Sequence, residues 1–242
     1  ERNSNETPYV MFFKPSYKIE HICSKMGYIK LGNDSRLNKM FEDKINFYEL
    51  CKKEKLPVPK GYVGKLKEFN FGELKKSLNL PFVIQFGRGW AGRTTFFVET
   101  EREFRILIKK YGEMKVKVTK KIGGPTFLNN ACVFDNSILV SLPAIQIPRL
   151  PKATGNPAST YGRQWPAIFL QRRQADLINE ITKKIGFVMK KSGYRGWFGL
   201  DFLLDSKTGE VFLSENNARL TASASFHTQN ELKQGVKKPL IY

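Results

Sequence analysis

The sequence predicts an α+β fold on three observations. Pro81-Phe82-Val83-Ile84-Gln85-Phe86 is an apolar run of strand character that returns, after a glycine-rich loop, as Thr94 to Val98. Near the C-terminus, Gly199 to Asp205 and Gly209 to Arg219 form a second pair of runs joined by a polar turn. Segments of helical periodicity surround these pairs. The clearest is Leu177 to Ser192, where Ile178, Ile181, Ile185 and Val188-Met189 fall on one stripe.

In chain order, Tyr9 to Phe13 reads as a buried strand and Tyr17 to Met26 as a short helix stopped by Gly27. Asp43 to Lys55 carries Ile45, Tyr48, Leu50 and Cys51 at helical spacing, and Pro57 and Pro59 end it. Phe71 to Leu78 is the next helix. Thr100-Glu101-Arg102-Glu103 is a capping box, in which Thr100 and Glu103 satisfy each other's free amides, so a helix opens there and runs to about Lys110. Met114 to Thr119 and Leu128 to Gln146 read as strands, the latter broken at Asp135-Asn136. Pro143, Pro148, Pro151 and Pro157 mark an irregular stretch through about Trp165, long enough to be a functional loop.

With 242 residues, 41% hydrophobic and 13% aromatic, the chain has the material for a substantial core and for one or two domains. That composition excludes a disordered tail, and no apolar run approaches the roughly 20 residues a membrane helix needs. The first residue is Glu1, and no apolar leader follows it, so the chain is expected to begin inside a longer one. Cys23, Cys51 and Cys132 are odd in number and widely spaced, which favours reduced thiols in a cytoplasmic setting over disulfides or zinc. The net charge of +19 attracts anions of many kinds, from nucleotides and acidic substrates to nucleic acid, and does not choose among them.

Four constellations could carry chemistry. Asp201, Glu215 and Asn217 sit on the last two runs, with Arg219 two residues beyond Asn217; hard oxygen donors beside an arginine suit a magnesium–phosphate site. The segment Gln85-Phe86-Gly87-Arg88-Gly89-Trp90-Ala91-Gly92-Arg93 lets backbone amides approach phosphate, or is a flexible hairpin tip. Val118-Thr119-Lys120-Lys121-Ile122-Gly123-Gly124-Pro125 ends a strand in a tight turn that offers a backbone carbonyl and amide to an adenine edge, or is a plain turn. Lys44 opens a helix, as a phosphate ligand or as a surface lysine. His21 and His227 have no companion at metal-ligand spacing.

The order of these segments carries more than any one of them. A Asp43-Lys44 helix start, then "LPVPKGYV", a strand with a glycine-rich loop, "TKKIGGP" and "GLDFLLD…GEVFLSENNAR" resembles the ATP-grasp superfamily of carboxylate–amine ligases and biotin-carboxylase-like enzymes, from about Leu37 to Ser225. The resemblance implies two α+β subdomains clasping a nucleotide, preceded by a short remnant of an N-terminal α/β domain. It implies a partial segment over 1–36 and the ATP-grasp domain over 37–242, with a smaller lid at about 60–122 and the larger subdomain at 123–242. It implies ATP and Mg²⁺ as cofactors. Glu215 and Asn217 would hold the metal, with Asp201 as a further ligand or as a partner behind them, and Lys44, Gln85, Gly87, Gly89 and Gly92 would surround the phosphates. Lys120 and Ile122 would take the adenine edge. Thr126 falls near the ribose. Arg219, Arg88 and Arg93 would neutralise the transferred phosphoryl group.

Three positions depart from the family's pattern. Gln85 stands where a lysine directed at the phosphates is usual, Thr119 replaces the acid that accepts from the adenine amine, and Thr126 replaces an acid near the ribose. The expected function is an ATP- and Mg-dependent ligase that activates a carboxylate as an acylphosphate for attack by an amine or similar nucleophile. The expected partners are ATP and an acidic or amino-acid-like small molecule, with no membrane. The departures leave a second reading open, a catalytically degenerate nucleotide-binding module. A basic nucleic-acid-binding protein is a third, carried by charge alone. Residues 148–165, with Arg149, Arg163 and Trp165, are candidates for the acceptor site, or form an ordinary surface loop.

Overall fold

Three sheets organise the chain, which a computed structural model describes over residues 7–89, 94–148, 160–237 and 239–240. The first sheet is a parallel pair, β1 (Tyr9–Met11) and β2 (Ile29–Leu31), connected through α1 (Tyr17–Met26). Ser16 caps α1 by accepting from the Ile19 amide, and Gly27 closes it at φ 66°, a left-handed conformation that glycine adopts without a Cβ clash. The expectation of a buried strand at Tyr9 to Phe13 is corrected: β1 stops at Met11, and Tyr9 is 64% exposed. A two-stranded sheet with one helix leaves most of its surface uncovered.

α2 (Ser35–Glu42) and α3 (Lys44–Lys53) follow, separated by Asp43. The Asp43 carboxylate accepts from the Ile45 and Asn46 amides, both at 3.0 Å, and so starts α3 as a capped helix with Lys44 in its first position.

The second sheet is antiparallel, in the order β3 (Gly61–Lys65), β6 (Lys115–Lys120), β4 (Phe82–Phe86), β5 (Thr95–Val98). Phe82, Ile84, Phe86, Val116 and Val118 alternate onto one face and pack with residues of α4 (Phe71–Leu78) and α5 (Glu101–Tyr111). There the rings of Phe71, Phe82 and Phe104 stand 5.9 Å apart. Both halves of the capping box expected at Thr100 and Glu103 are formed. The other face carries Val83, Gln85, Lys117 and Thr119 and meets α3, where the Lys117 ammonium lies 5.6 Å from the Tyr48 ring.

The third sheet runs β10 (Thr160–Gln164), β9 (Ala144–Pro148), β7 (Thr126–Val133), β11 (Gly196–Leu204), β12 (Val211–Asn217), with β8 (Ile138–Val140) also paired to β7. The long helix α6 (Arg172–Lys191) buries Ile178, Ile181, Ile185 and Met189 against Phe127, Phe198, Leu200 and Phe202 of this sheet. α7 (Ala224–Lys233) follows the last strand. The stretch expected to be irregular through Trp165 contains β10, which pairs antiparallel with β9; residues 149–159 lie outside the described residues. No helix among the described residues is long and apolar enough to cross a membrane. Cys23, Cys51 and Cys132 are buried free thiols.

Candidate functional site

A β-bulge aims the site residues. Along β11, Phe198, Leu200 and Phe202 point into the core, so Gly199 and Asp201 point the other way. On β12, Val211 and Leu213 are core residues, and strict alternation would bury Glu215 with them. The register slips instead: Asp201 pairs with Glu215 and Phe202 with Leu213, leaving Ser214 as the extra residue. From there Asn216 is the buried side chain, at 1% exposure, while Glu215 and Asn217 join Asp201 on the open face.

The polar groups form two bonded sets on neighbouring residues of this face. Asn217 Nδ2 donates to Asp201 Oδ2 at 3.1 Å, and Asn217 Oδ1 accepts from Arg219 Nη1 at 2.7 Å. The same Arg219 nitrogen donates to Glu42 Oε1 at 2.7 Å, Lys14 pairs with Glu42 from the other side, and the Phe13 ring lies 5.5 Å from the guanidinium carbon. Asn38 fixes α2 to this corner by donating to the Ala218 carbonyl at 2.8 Å. Lys44 is buried, not the surface lysine that was one of its two readings, and its Nζ meets Glu215 Oε1 at 2.6 Å. Burial and then the Glu215 charge hold the Asp201 carboxyl high, at about 6.

Asp201 Oδ1 is buried and has no hydrogen-bond partner among the described residues. An orphaned carboxylate oxygen beside a second carboxylate and an amide oxygen suits a divalent cation, because such a cation supplies the missing partner. No group of three or more His, Cys, Asp and Glu side chains is placed to hold a metal among the described residues. Two carboxylates and one amide oxygen are hard donors of the kind Mg²⁺ takes together with phosphate oxygens and water.

The glycine-rich loop starts against α3. The Gly87 carbonyl accepts from the Lys44 amide at 2.8 Å, and a Cβ at Gly87 would stand 2.5 Å from the Asp43 carboxylate. A Cβ at Gly89 would stand 1.6 Å from Thr94 Oγ1. A side chain at either position would crowd the Asp43 or Thr94 side chain, which would have to move. Arg88 lines an open cavity of about 400 Å³ together with Arg36, Lys39 and Asn46. Gly92 and Arg93 lie outside the described residues.

Lys120, Ile122 and Thr126 fall on the strand–turn–strand that links the second sheet to the third. The turn packs beneath the β11–β12 connection: Ser206 N donates to the Gly123 carbonyl at 2.9 Å, and a Cβ at Gly124 would lie 2.0 Å from the Leu204 carbonyl oxygen. Gly124 thus has a packing reason of its own, whereas a Cβ at Gly123 would meet open space. Thr119 is 5% exposed and faces Gly61, where a Cβ would clash with it at 2.7 Å.

Sequence reasoning assigned no role to Lys117, Glu42 or His227. Lys117 is only 3% exposed. Its place on the β6 face opposite Val116 and Val118 was readable from alternation, but its burial under α3 was not. His227 stacks on Trp165 with ring centroids 4.8 Å apart, and Arg163 lies near enough to Asp201 to lower that carboxyl. Arg163 Nε and Nη1, Trp165 Nε1 and His227 Nδ1 are buried without hydrogen-bond partners among the described residues. Arg149 lies outside the described residues.

Burial pushes His227 down to about 4, so it is neutral in the folded protein. Its folded pKa is depressed below the ordinary value near 6.5, so the stability it contributes is complete above that value and is lost as pH falls toward 4. The loss amounts to about 2 kcal/mol by pH 5. The neighbouring Glu231, whose carboxyl burial raises, opposes part of it. Acidifying from about pH 7 to pH 5 is expected to lower the melting temperature of the wild type more than that of His227→Gln. Equal losses would contradict the assignment.

No protein-family model and no curated protein matches the sequence. Solved structures do. Biotin carboxylase from Campylobacter jejuni in its β-γ-ATP complex superposes with a TM-score of 0.73 at 18% identity, over 95% of this chain and 52% of that one. D-alanyl-alanine synthetase A from Vibrio cholerae O1 biovar El Tor gives 0.69 at 16% identity, over 97% and 77%. Carboxyaminoimidazole ribonucleotide synthase from Aspergillus clavatus, complexed with ATP, gives 0.66 at 13% identity, over 91% and 56%. The chain thus spans about half the length of the first of these. With its paired antiparallel sheets and the strand pair carrying Asp201, Glu215 and Asn217, the chain has the ATP-grasp fold.

Proposed function

We propose that the protein is an ATP- and Mg-dependent ligase, activating a carboxylate as an acylphosphate for attack by an amine or similar nucleophile. One observation carries this reading: Asp201, Glu215 and Asn217 share a face, with Lys44 bonded to Glu215 and with Asp201 and Arg219 both bonded to Asn217. Within the ATP-grasp fold, that cluster has the donors and cations a metal–triphosphate needs.

In this reading the adenine edge meets the Lys120 carbonyl and the Ile122 amide, and Thr126 reaches the ribose. Backbone amides at Gly87, Gly89 and Gly92 approach the phosphates, with Gln85 donating from β4. Asp201, Glu215 and Asn217 would hold Mg²⁺, which would draw charge from phosphate oxygens. Lys44 passes from Glu215 to a phosphate oxygen. Arg219, Arg88 and Arg93 balance the charge on the transferred group. The substrate carboxylate attacks the γ-phosphorus, the bond to the β–γ bridging oxygen breaks, and ADP leaves. The nucleophile then attacks the acyl carbon and expels phosphate, losing its proton. Arg163 has two unpartnered N–H groups beside Asp201, which supports it as the clamp for the acceptor carboxylate. The cations lining the Arg88 cavity favour an acidic co-substrate. Three buried free thiols fit a reducing, cytoplasmic setting.

Calorimetric titration with ATP, with and without Mg²⁺, tests this. Metal-dependent binding is expected, followed by phosphate release when carboxylate and amine pairs are added. Absence of binding at millimolar ATP would overturn the ligase reading. Binding without phosphate release across a broad panel would favour a nucleotide-binding module that has lost catalysis, the reading that Gln85 and Thr119 motivate.

A further inference from the structure

Lys117 is a buried cation with no ion-pair partner among the described residues. On β6, Val116 and Val118 are fully buried in the lid core, and Lys117 projects from the opposite face at 3% exposure. Its amine lies 5.6 Å from the Tyr48 ring, whose hydroxyl is committed to the Pro59 carbonyl at 3.0 Å. The charges that reach it are Glu215 and Lys44, with the Cys51 thiol behind. Glu215 is already held by Lys44 at 2.6 Å, and no carboxylate is within ion-pair distance of Lys117 among the described residues. Two ammonium groups thus share one carboxylate in a poorly hydrated pocket. An arrangement of this kind is unfavourable until an anion enters it. Burial accordingly depresses Lys117 to about 8.

The strand register says which anion. Lys117 stands directly opposite Gln85 on β4. Gln85 spends one amide hydrogen on Thr95 Oγ1 at 3.1 Å and brings no charge. Side chains directly opposed in an antiparallel pair have Cβ atoms about 5 Å apart, within the span of a lysine stem. An amine rooted at 117 therefore reaches the same volume as one rooted at 85.

We propose that Lys117 is the cation that grips the phosphate chain of the nucleotide, taking over from β6 the position that Gln85 on the neighbouring strand leaves uncharged. This rests on the ATP-binding reading above and deepens it. The departure at Gln85 is then a relocation of charge by one strand, and the pocket keeps its full complement of cations.

The test is a charge swap in the full chain, read by calorimetry with MgATP and by thermal melting. Lys117→Met is expected to bind MgATP about 10- to 100-fold more weakly, the loss of one charge-assisted contact. Its melting temperature without nucleotide is expected to hold or rise, because an unpaired buried charge has gone. Adding Gln85→Lys to Lys117→Met is expected to restore binding to within about threefold of wild type, an outcome that a merely structural lysine would not give. If Lys117→Met fails to fold, Lys117→Gln carries the same expectations. Wild-type affinity in the single variant overturns the proposal, as does a folded double variant that remains weak. A wild type that binds no MgATP overturns both this proposal and the ligase reading, whereas a binding wild type with an unaffected Lys117→Met overturns this one alone.

Discussion

Replacing Glu215 with glutamine is expected to abolish metal-dependent phosphate release from ATP, a loss on the order of 10²- to 10³-fold or more. Glutamine keeps the side chain's size and one oxygen but removes the charge that balances Lys44 at 2.6 Å. It also removes one of two carboxylates in the proposed metal site, the other being the orphaned Asp201. The fold should survive, because β12 is anchored by Val211 and Leu213 on its core face and Glu215 lies on the other. Phosphate release and melting temperature, measured on the same preparation, separate these effects. Unchanged turnover in a folded variant would remove Glu215 from the chemistry. Asn217→Ala should behave alike and also leave the Arg219 guanidinium hydrogen-bonded to Glu42 alone among the described residues.

The largest effect on stability is expected at Phe202. Its ring is 0% exposed, in the cluster with Phe127, Ile178 and Leu213. Phe202→Ala should cost about 3–5 kcal/mol through lost burial and the cavity left behind. For a chain of this size that lowers the melting temperature by roughly 6–20 °C. Asp201 precedes Phe202 on β11, so the anchor of the cluster loosens with the core beneath it. Leu142→Ala is a fair control: Leu142 is 55% exposed, and its loss should stay within about 0.5 kcal/mol. Equal melting shifts for the two variants would contradict the packing described here.

What the sequence made legible was local. Gly27, the Thr100–Glu103 capping box and the proline-flanked α3 announced their helices through backbone chemistry confined to a few residues. The final strand pair was readable because its donors lie on runs that a short turn must bring together. By contrast, α2 went unread: Leu37, Met40 and Phe41 fall at helical spacing, but the helix is only eight residues long and its N-cap side chain makes no capping bond. β3 was obscured by Gly61 and Gly64, residues that weaken strand character but are required at Gly61 by the approach of Thr119. The contact of Arg219 with Glu42 spans 177 positions, and nothing local encodes it. The bulge at Ser214 was equally hidden, since the residues that reveal it sit on the partner strand. Lys117 was half legible, its face set by alternation and its burial set by a helix more than sixty positions away.

A structure of the protein with Mg²⁺ and a non-hydrolysable ATP analogue tests the central claim most directly. The expected result is a nucleotide between the second and third sheets. Its phosphates should lie against Lys44 and Lys117, its adenine edge on Lys120 and Ile122, and one metal ion on Asp201, Glu215 and Asn217. A nucleotide bound elsewhere, or a metal held without those three side chains, would contradict it.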